Sequence, residues 1–110
     1  MQNQDLFENG LLFFNSGDYY QAHEVWEDLW RITVGPDRVF YQGLIQAAVG
    51  LYHLRRGNKI GARGQISKSI RHLTHFRDNP QFVDTAALIE QLQEIGDDLS
   101  PQPVRIARIK

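Results

Sequence analysis

The sequence contains no cysteine, which excludes disulfide staples, thiolate nucleophiles and cysteine-ligated zinc and leaves histidine, aspartate and glutamate as its strong metal ligands. It has no long apolar run either: nothing approaches the roughly 18 to 20 residues that a membrane helix requires. The opening MQNQDLFENGLLFF carries no basic stretch ahead of its apolar residues, so no secretory signal is expected there. An excess of one charge is also missing. Lys and Arg number 12 against 13 Asp and Glu, for a net charge of -1, so no global field draws in nucleic acid or an anionic membrane. These absences lead to the expectation of a soluble, cytoplasmic protein with no membrane partner, whose ligands must be sought at a site.

What is present is helical periodicity. A chain of 110 residues suits one domain with one core. Leu6, Phe7, Leu11 and Phe14 recur at the three-or-four spacing of an amphipathic helix, which should stop at Asn15-Ser16-Gly17. Asp18 then caps a second helix, with Gln21 placed to reach back as in a capping box, and Ala22, Val25, Trp26, Leu29 and Trp30 form its apolar arc. A third helix, starting near Gly35-Pro36-Asp37 and running to about Arg56, is apolar on most sides from Val39 to Leu54, which makes it central. Gly57-Asn58 leads to a fourth helix with Ala62, Ile66, Ile70 and Leu73 inward. Asn79-Pro80 separates it from a fifth, capped by Asp84, with Ala87, Leu88, Leu92 and Ile95 inward. No β-hairpin signal appears. The expected fold is all-α: about five helices in a compact bundle over residues 1–99, with residues 100–110 as a flexible or partner-docked tail.

The chain also repeats itself. Gly57-Asn58 stands 40 residues after Gly17-Asp18, and the same offset carries Leu11 to Leu51, Phe14 to Leu54, Ala22 to Ala62, Trp26 to Ile66 and Trp30 to Ile70. Two helical hairpins follow, each needing a glycine at the reversal and a small residue one turn on. They loosely resemble tetratricopeptide repeats, though the offset exceeds the ~34-residue period of that class. Under this offset His23, Glu24 and Glu27 fall opposite Arg63, Gly64 and Ser67. Hairpin packing therefore does not require the first set.

At about 100° per residue, His23 and Glu27 lie together on the edge of the second helix's apolar arc, beside Trp30, and as an i,i+4 pair can share a hydrogen bond or an ion. On the third helix Gln42, Gln46 and His53 share one narrow line with Val49. If the two seams meet, His23, Glu27, Trp30, Gln42, Gln46 and His53 form a ligand-binding pocket walled by tryptophan and Tyr41. The reading this favours is a small helical binding or scaffold module for a small ligand or a protein. A second is an acid–base or metal-dependent, hydrolase-like enzyme, with His23, Glu24 and Glu27 as catalytic candidates and His23, Glu27 and His53 holding a divalent metal. The motif HEVWE is not the HExxH of zinc proteases, and the Glu-x-x-His order of di-iron bundles is absent. A third reading assigns phosphate or nucleic-acid contact to the acid-free stretch from Arg55 to Arg77. A solvated helix face balanced by the acidic stretch from Asp84 to Asp98 is the commoner explanation, no nucleic-acid motif accompanies the segment, and nucleic acid is not expected as a partner. A homodimer, with the tail docked on the neighbour, is held open.

The block FNSGDYYQAHEVWEDLWR, the block YQGLIQAAVGLYHLRRGNKIGA and, more loosely, FVDTAALIEQL resemble domain of unknown function family 309, a group of small all-helical prokaryotic proteins. The first block follows the pattern Phe-Asn-x-Gly-x-Tyr-x-x-Ala-His-Glu-x-x-Glu-x-x-Trp, and the likeness extends to about Gln93. The resemblance implies a fold and a set of marked positions, Asn15, His23, Glu24, Glu27, Trp30, Gln42, Gln46 and His53, but no activity. Trp26 departs from it, standing where many members have Leu.

Overall fold

In the computed structural model, residues 3–78 and 82–109 are described, and the expected Asn79-Pro80 break lies outside them. Five helices follow in order: α1 (Asn3–Asn15), α2 (Tyr19–Arg31), α3 (Pro36–Arg55), α4 (Lys59–Thr74) and α5 (Thr85–Asp98). Each packs on its predecessor, so the chain folds as consecutive antiparallel hairpins with α3 in the middle. The bundle is all-α. Among the described residues the only extended pairing is a single antiparallel bridge between Val83 and Arg108.

The 40-residue repeat is visible atom by atom at the two reversals. Gly17 and Gly57 adopt φ of 83° and 81°, the left-handed conformation that glycine reaches without steric cost. Each is flanked by the same bonds. Asp18 N–H donates to the Phe13 carbonyl (2.8 Å) and Asn58 N–H to the His53 carbonyl (2.9 Å), closing the preceding helix in a Schellman arrangement. The same two residues then cap the next helix: Asp18 Oδ1 accepts from Gln21 N–H and Asn58 Oδ1 from Gly61 N–H. Because the Asp18 amide is already used by Phe13, the reciprocal capping-box bond expected from Gln21 has no donor to satisfy, and Gln21 is exposed.

Packing differs from expectation in three places. Trp26, expected beside the polar seam, is fully buried between α1 and α2, where its Nε1 donates to the Phe7 carbonyl (3.3 Å) and its ring meets Phe14. Val39, expected inward, is 37% exposed, while the next residue, Phe40, is fully buried and takes the inward face. The segment after Ser100, expected to be flexible or docked on a partner, lies against its own bundle. Val104 and Ile106 alternate inward and are buried, and the side-chain amides of two helices receive the backbone between them. Asn15 exchanges two bonds with the backbone of Ile106 (3.0 and 2.8 Å), and Gln91 exchanges two with Arg105 (2.8 and 3.0 Å). Asp84 N–H donates to the Ala107 carbonyl, and Arg108 pairs with Glu8. The strap ties α5 back to α1.

The close approach of α1 and α2 rests on Gly10, where an added Cβ would overlap the Trp26 indole. Gly10→Ala should therefore cost about 1 to 3 kcal/mol through overpacking. Gly64→Ala, where a Cβ meets nothing within 4 Å, should instead gain roughly 0.5 to 1 kcal/mol from helix propensity. Urea denaturation of the two variants checks this, and equal shifts would contradict the packing.

Candidate functional site at the α2–α3 recess

With Ala22, Trp26 and Leu29 buried, the rotation of α2 is set, and His23 and Glu27 emerge along the edge of its inward face. His23 Nδ1 lies 3.0 Å from the Tyr20 carbonyl. A carbonyl can only accept, so Nδ1 carries a proton, and in the neutral ring the lone pair is on Nε2. That Nε2 faces Glu27 Oε2 at 3.7 Å. Glu27 is also 3.6 Å from Arg31, which bonds Asp28 at 2.8 Å, so the carboxylate sits in a chain of exposed charges. The pair, expected beside Trp30, remains 19% and 37% exposed, and the Trp30 ring is stacked with Arg38.

Glu24 completes the group. One ligand atom from each of His23, Glu24 and Glu27 lies within 4.8 Å of the others, and among the described residues this is the one group of three such side chains. Glu24 also accepts the Tyr20 phenol, and that bond, followed by the carboxylate's charge, pushes the Tyr20 pKa up.

Opposite, α3 contributes Val49, Tyr52 and His53 to a small recess of about 190 Å³ that α2 lines with Tyr19, Tyr20 and His23. Its walls are rings: Tyr20 contacts His23 edge-on at 5.2 Å and Tyr52 at 5.4 Å, and Tyr52 meets His53 at 6.0 Å. His53 Nδ1 lies 3.5 Å from the Asn58 amide, so the turn residue that caps α4 also touches the recess.

The expected single pocket thus divides. His23 and His53 do share one recess, but His53 lies outside the three-residue group, where Glu24 takes the place expected of it. Gln46 turns the other way: its Oε1 accepts from His72 Nδ1 on α4 at 2.7 Å. The line of Gln42, Gln46, Val49 and His53 runs between α2 and α4, and a long amide takes the partner within reach. Gln42 is half-buried and makes no bond to this group. Trp30 stacks under Arg38, 3.7 Å from its ring centre, and its buried Nε1 has no hydrogen-bond partner among the described residues. Tyr41 lies at the far end of α3 against Phe7 and Phe40. The sequence reading missed Tyr20 and Tyr52 as recess walls. Their signal was present, since Tyr20 lies three residues before His23 and Tyr52 adjoins His53.

The residues that carry this geometry fall inside a family match. The model for a domain of unknown function, DUF309, covers residues 7–65, more than half of the chain. The chain belongs to the DUF309 family. Among relatives of this DUF309 chain, an uncharacterized protein of Aquifex aeolicus is 25% identical over 92 residues, 83% of the chain and 28% of that protein. The uncharacterized protein YpuF of Bacillus subtilis is 33% identical over 90 residues, 79% of the chain and 52% of YpuF. The chain thus spans about half or less of the length of these two relatives. The DUF309 match contains all of His23, Glu24, Glu27, Gln46 and His53 and ends within α4.

The Gln46–His72 bond generates a pH prediction. Burial first, and then the charges of Arg71 and His75, lower the His72 pKa below its ordinary 6.5, so the folded state favours the neutral ring. The resulting stability is fully present above about 6.5 and is lost as pH falls through the folded-state value. Urea midpoints measured from pH 8 to 5 should fall less steeply for His72→Asn than for the wild type; identical slopes would show that His72 is not the titrating group.

Proposed function

We propose that this protein is a helical binding module whose working site is the α2–α3 recess, with His23, Glu24 and Glu27 holding a divalent cation at its rim. The observation that supports this most is the His23 tautomer. A ring whose Nδ1–H is engaged by a backbone carbonyl presents Nε2 as a donor in a fixed orientation, the arrangement typical of metal-bound histidines. Glu27 Oε2 lies 3.7 Å from Nε2, and Glu24 adds a carboxylate oxygen to the same three-residue group. One nitrogen with two carboxylate oxygens suits manganese, iron or zinc better than a soft ion. A cation held there would polarise and anchor an oxygen-bearing ligand. Tyr20, Tyr52 and His53 would contact the rest of that ligand, and the limited volume of the recess restricts it to a small group.

Binding is favoured over turnover by the openness of the carboxylates. Glu24 is exposed and Glu27 is more than a third exposed, whereas electrostatic catalysis depends on donors preorganised away from water.

Tag-free protein, stripped with chelator and titrated with Mn²⁺ and Zn²⁺ by calorimetry, should take up one ion. His23→Ala and Glu27→Gln should each weaken that uptake by about tenfold or more while the circular dichroism stays helical. Absence of uptake in the wild type, or unchanged uptake by His23→Ala, would sink the proposal.

A further inference from the structure

The strap formed by the C-terminal segment borders a further, open cavity of about 540 Å³, together with the α1–α2 turn and the last turn of α3. Its volume is in the range of small-molecule sites. The inner wall is apolar: Tyr19, Leu51, Leu54 and Val104 are each at most 5% exposed. The rim carries two cations, Arg55 and Arg105, and no aspartate or glutamate.

Both arginines lack acidic partners. Arg31 is balanced by Glu27 and Asp28, and Arg108 by Glu8, but among the described residues no carboxylate pairs with Arg55 or Arg105. Arg55 is nonetheless held in place. One of its nitrogens donates to the Gly17 carbonyl, and its guanidinium lies 4.7 Å from the centre of the Tyr19 ring, so a planar fork of five donors is fixed at the cavity with most of them unspent. Arg105 is positioned through its backbone, whose N–H and carbonyl both bond to Gln91. Its side chain is not needed for that contact.

We propose that this cavity, which shares the Tyr19 ring but no other lining residue with the α2–α3 recess, is a binding site for a small organic anion: an apolar body against Leu51, Leu54 and Tyr19, and a phosphate or carboxylate head met by Arg55 and Arg105. Guanidinium is the side chain best matched to either head group, because it bonds both in a bidentate manner. A cation pair on an apolar floor also discriminates against uncharged molecules of the same shape.

The test uses the full chain with phenyl phosphate, benzoate and benzyl alcohol as probes, followed by amide chemical shifts of Ser16, Gly17 and Val104. At least one anion should bind at low salt and weaken as salt rises, and the tighter of the two identifies the head group. Arg105→Gln, which leaves the Gln91 bonds intact, should weaken that anion about tenfold or more. Arg55→Gln should do likewise, and Arg63→Gln, which removes an exposed cation from α4 away from the cavity, should not. The proposal falls if neither anion binds at low salt, if benzyl alcohol binds as well as the anions, or if Arg105→Gln binds as the wild type does.

Discussion

The positions of His23, Glu24 and Glu27 depend on how Trp26 lies against Gly10. A tryptophan can enter the space between two helices only where one backbone offers no side chain, and the indole then finds its polar partner in the Phe7 carbonyl. That single contact sets both the spacing of α1 and α2 and the rotation of α2 about its axis. Once Trp26 points inward, helix geometry places His23 and Glu27 about 60 to 100° around the cylinder, on the edge beside α3. Glu24 follows on the solvent side, with a carboxylate oxygen still within 4.8 Å of the other two groups.

The paired turns carry the same logic one level up. Gly17 and Gly57 reverse the chain with the same bonds at the same offset, so the two hairpins are built by one rule. They differ in what sits one turn past the cap. Arg63, Gly64 and Ser67 occupy the places of His23, Glu24 and Glu27, and all three are exposed. Two copies of one scaffold thus separate what the scaffold needs from what it only displays. The small residue is needed, since Ala22 and Ala62 are both fully buried, while the imidazole and carboxylates belong to the display.

Legibility in the sequence followed the range of the interactions. The helices, their glycine stops, the Asp18 and Asp84 caps and the His23–Glu27 pair are all fixed within a few residues, and local sequence pattern exposes them. The convergence of the α3 line with α2 was only half legible. His53 reaches the shared recess, but Gln46 bonds to a histidine 26 residues away on α4, and no local pattern announces that partner. The strap was illegible for a related reason. Its alternating Val104 and Ile106 had a strand-like spacing, yet what holds it is the amides of Asn15 and Gln91, one of them 91 positions distant. Asn15 was marked by the family pattern alone, and the structure supplies its physical role as the anchor of that strap.

Energetics sharpen the contrast between the two kinds of residue on α2. A partly exposed pair such as His23–Glu27 contributes at most about 1 kcal/mol even when the ring is protonated, and less in salt, because water screens the attraction and long side chains lose entropy in making it. Removing a fully buried tryptophan costs about 3 to 5 kcal/mol. Stability therefore dictates Trp26 and Ala22 but is nearly indifferent to whether histidine, glutamate or any other solvated residue stands at positions 23, 24 and 27. A lysine or glutamine would serve the helix as well. What such replacements would not reproduce is a neutral nitrogen donor, oriented by a carbonyl and flanked by two carboxylates beside a ring of aromatic side chains. The chemistry of a ligand accounts for that combination, and the folding of the bundle does not.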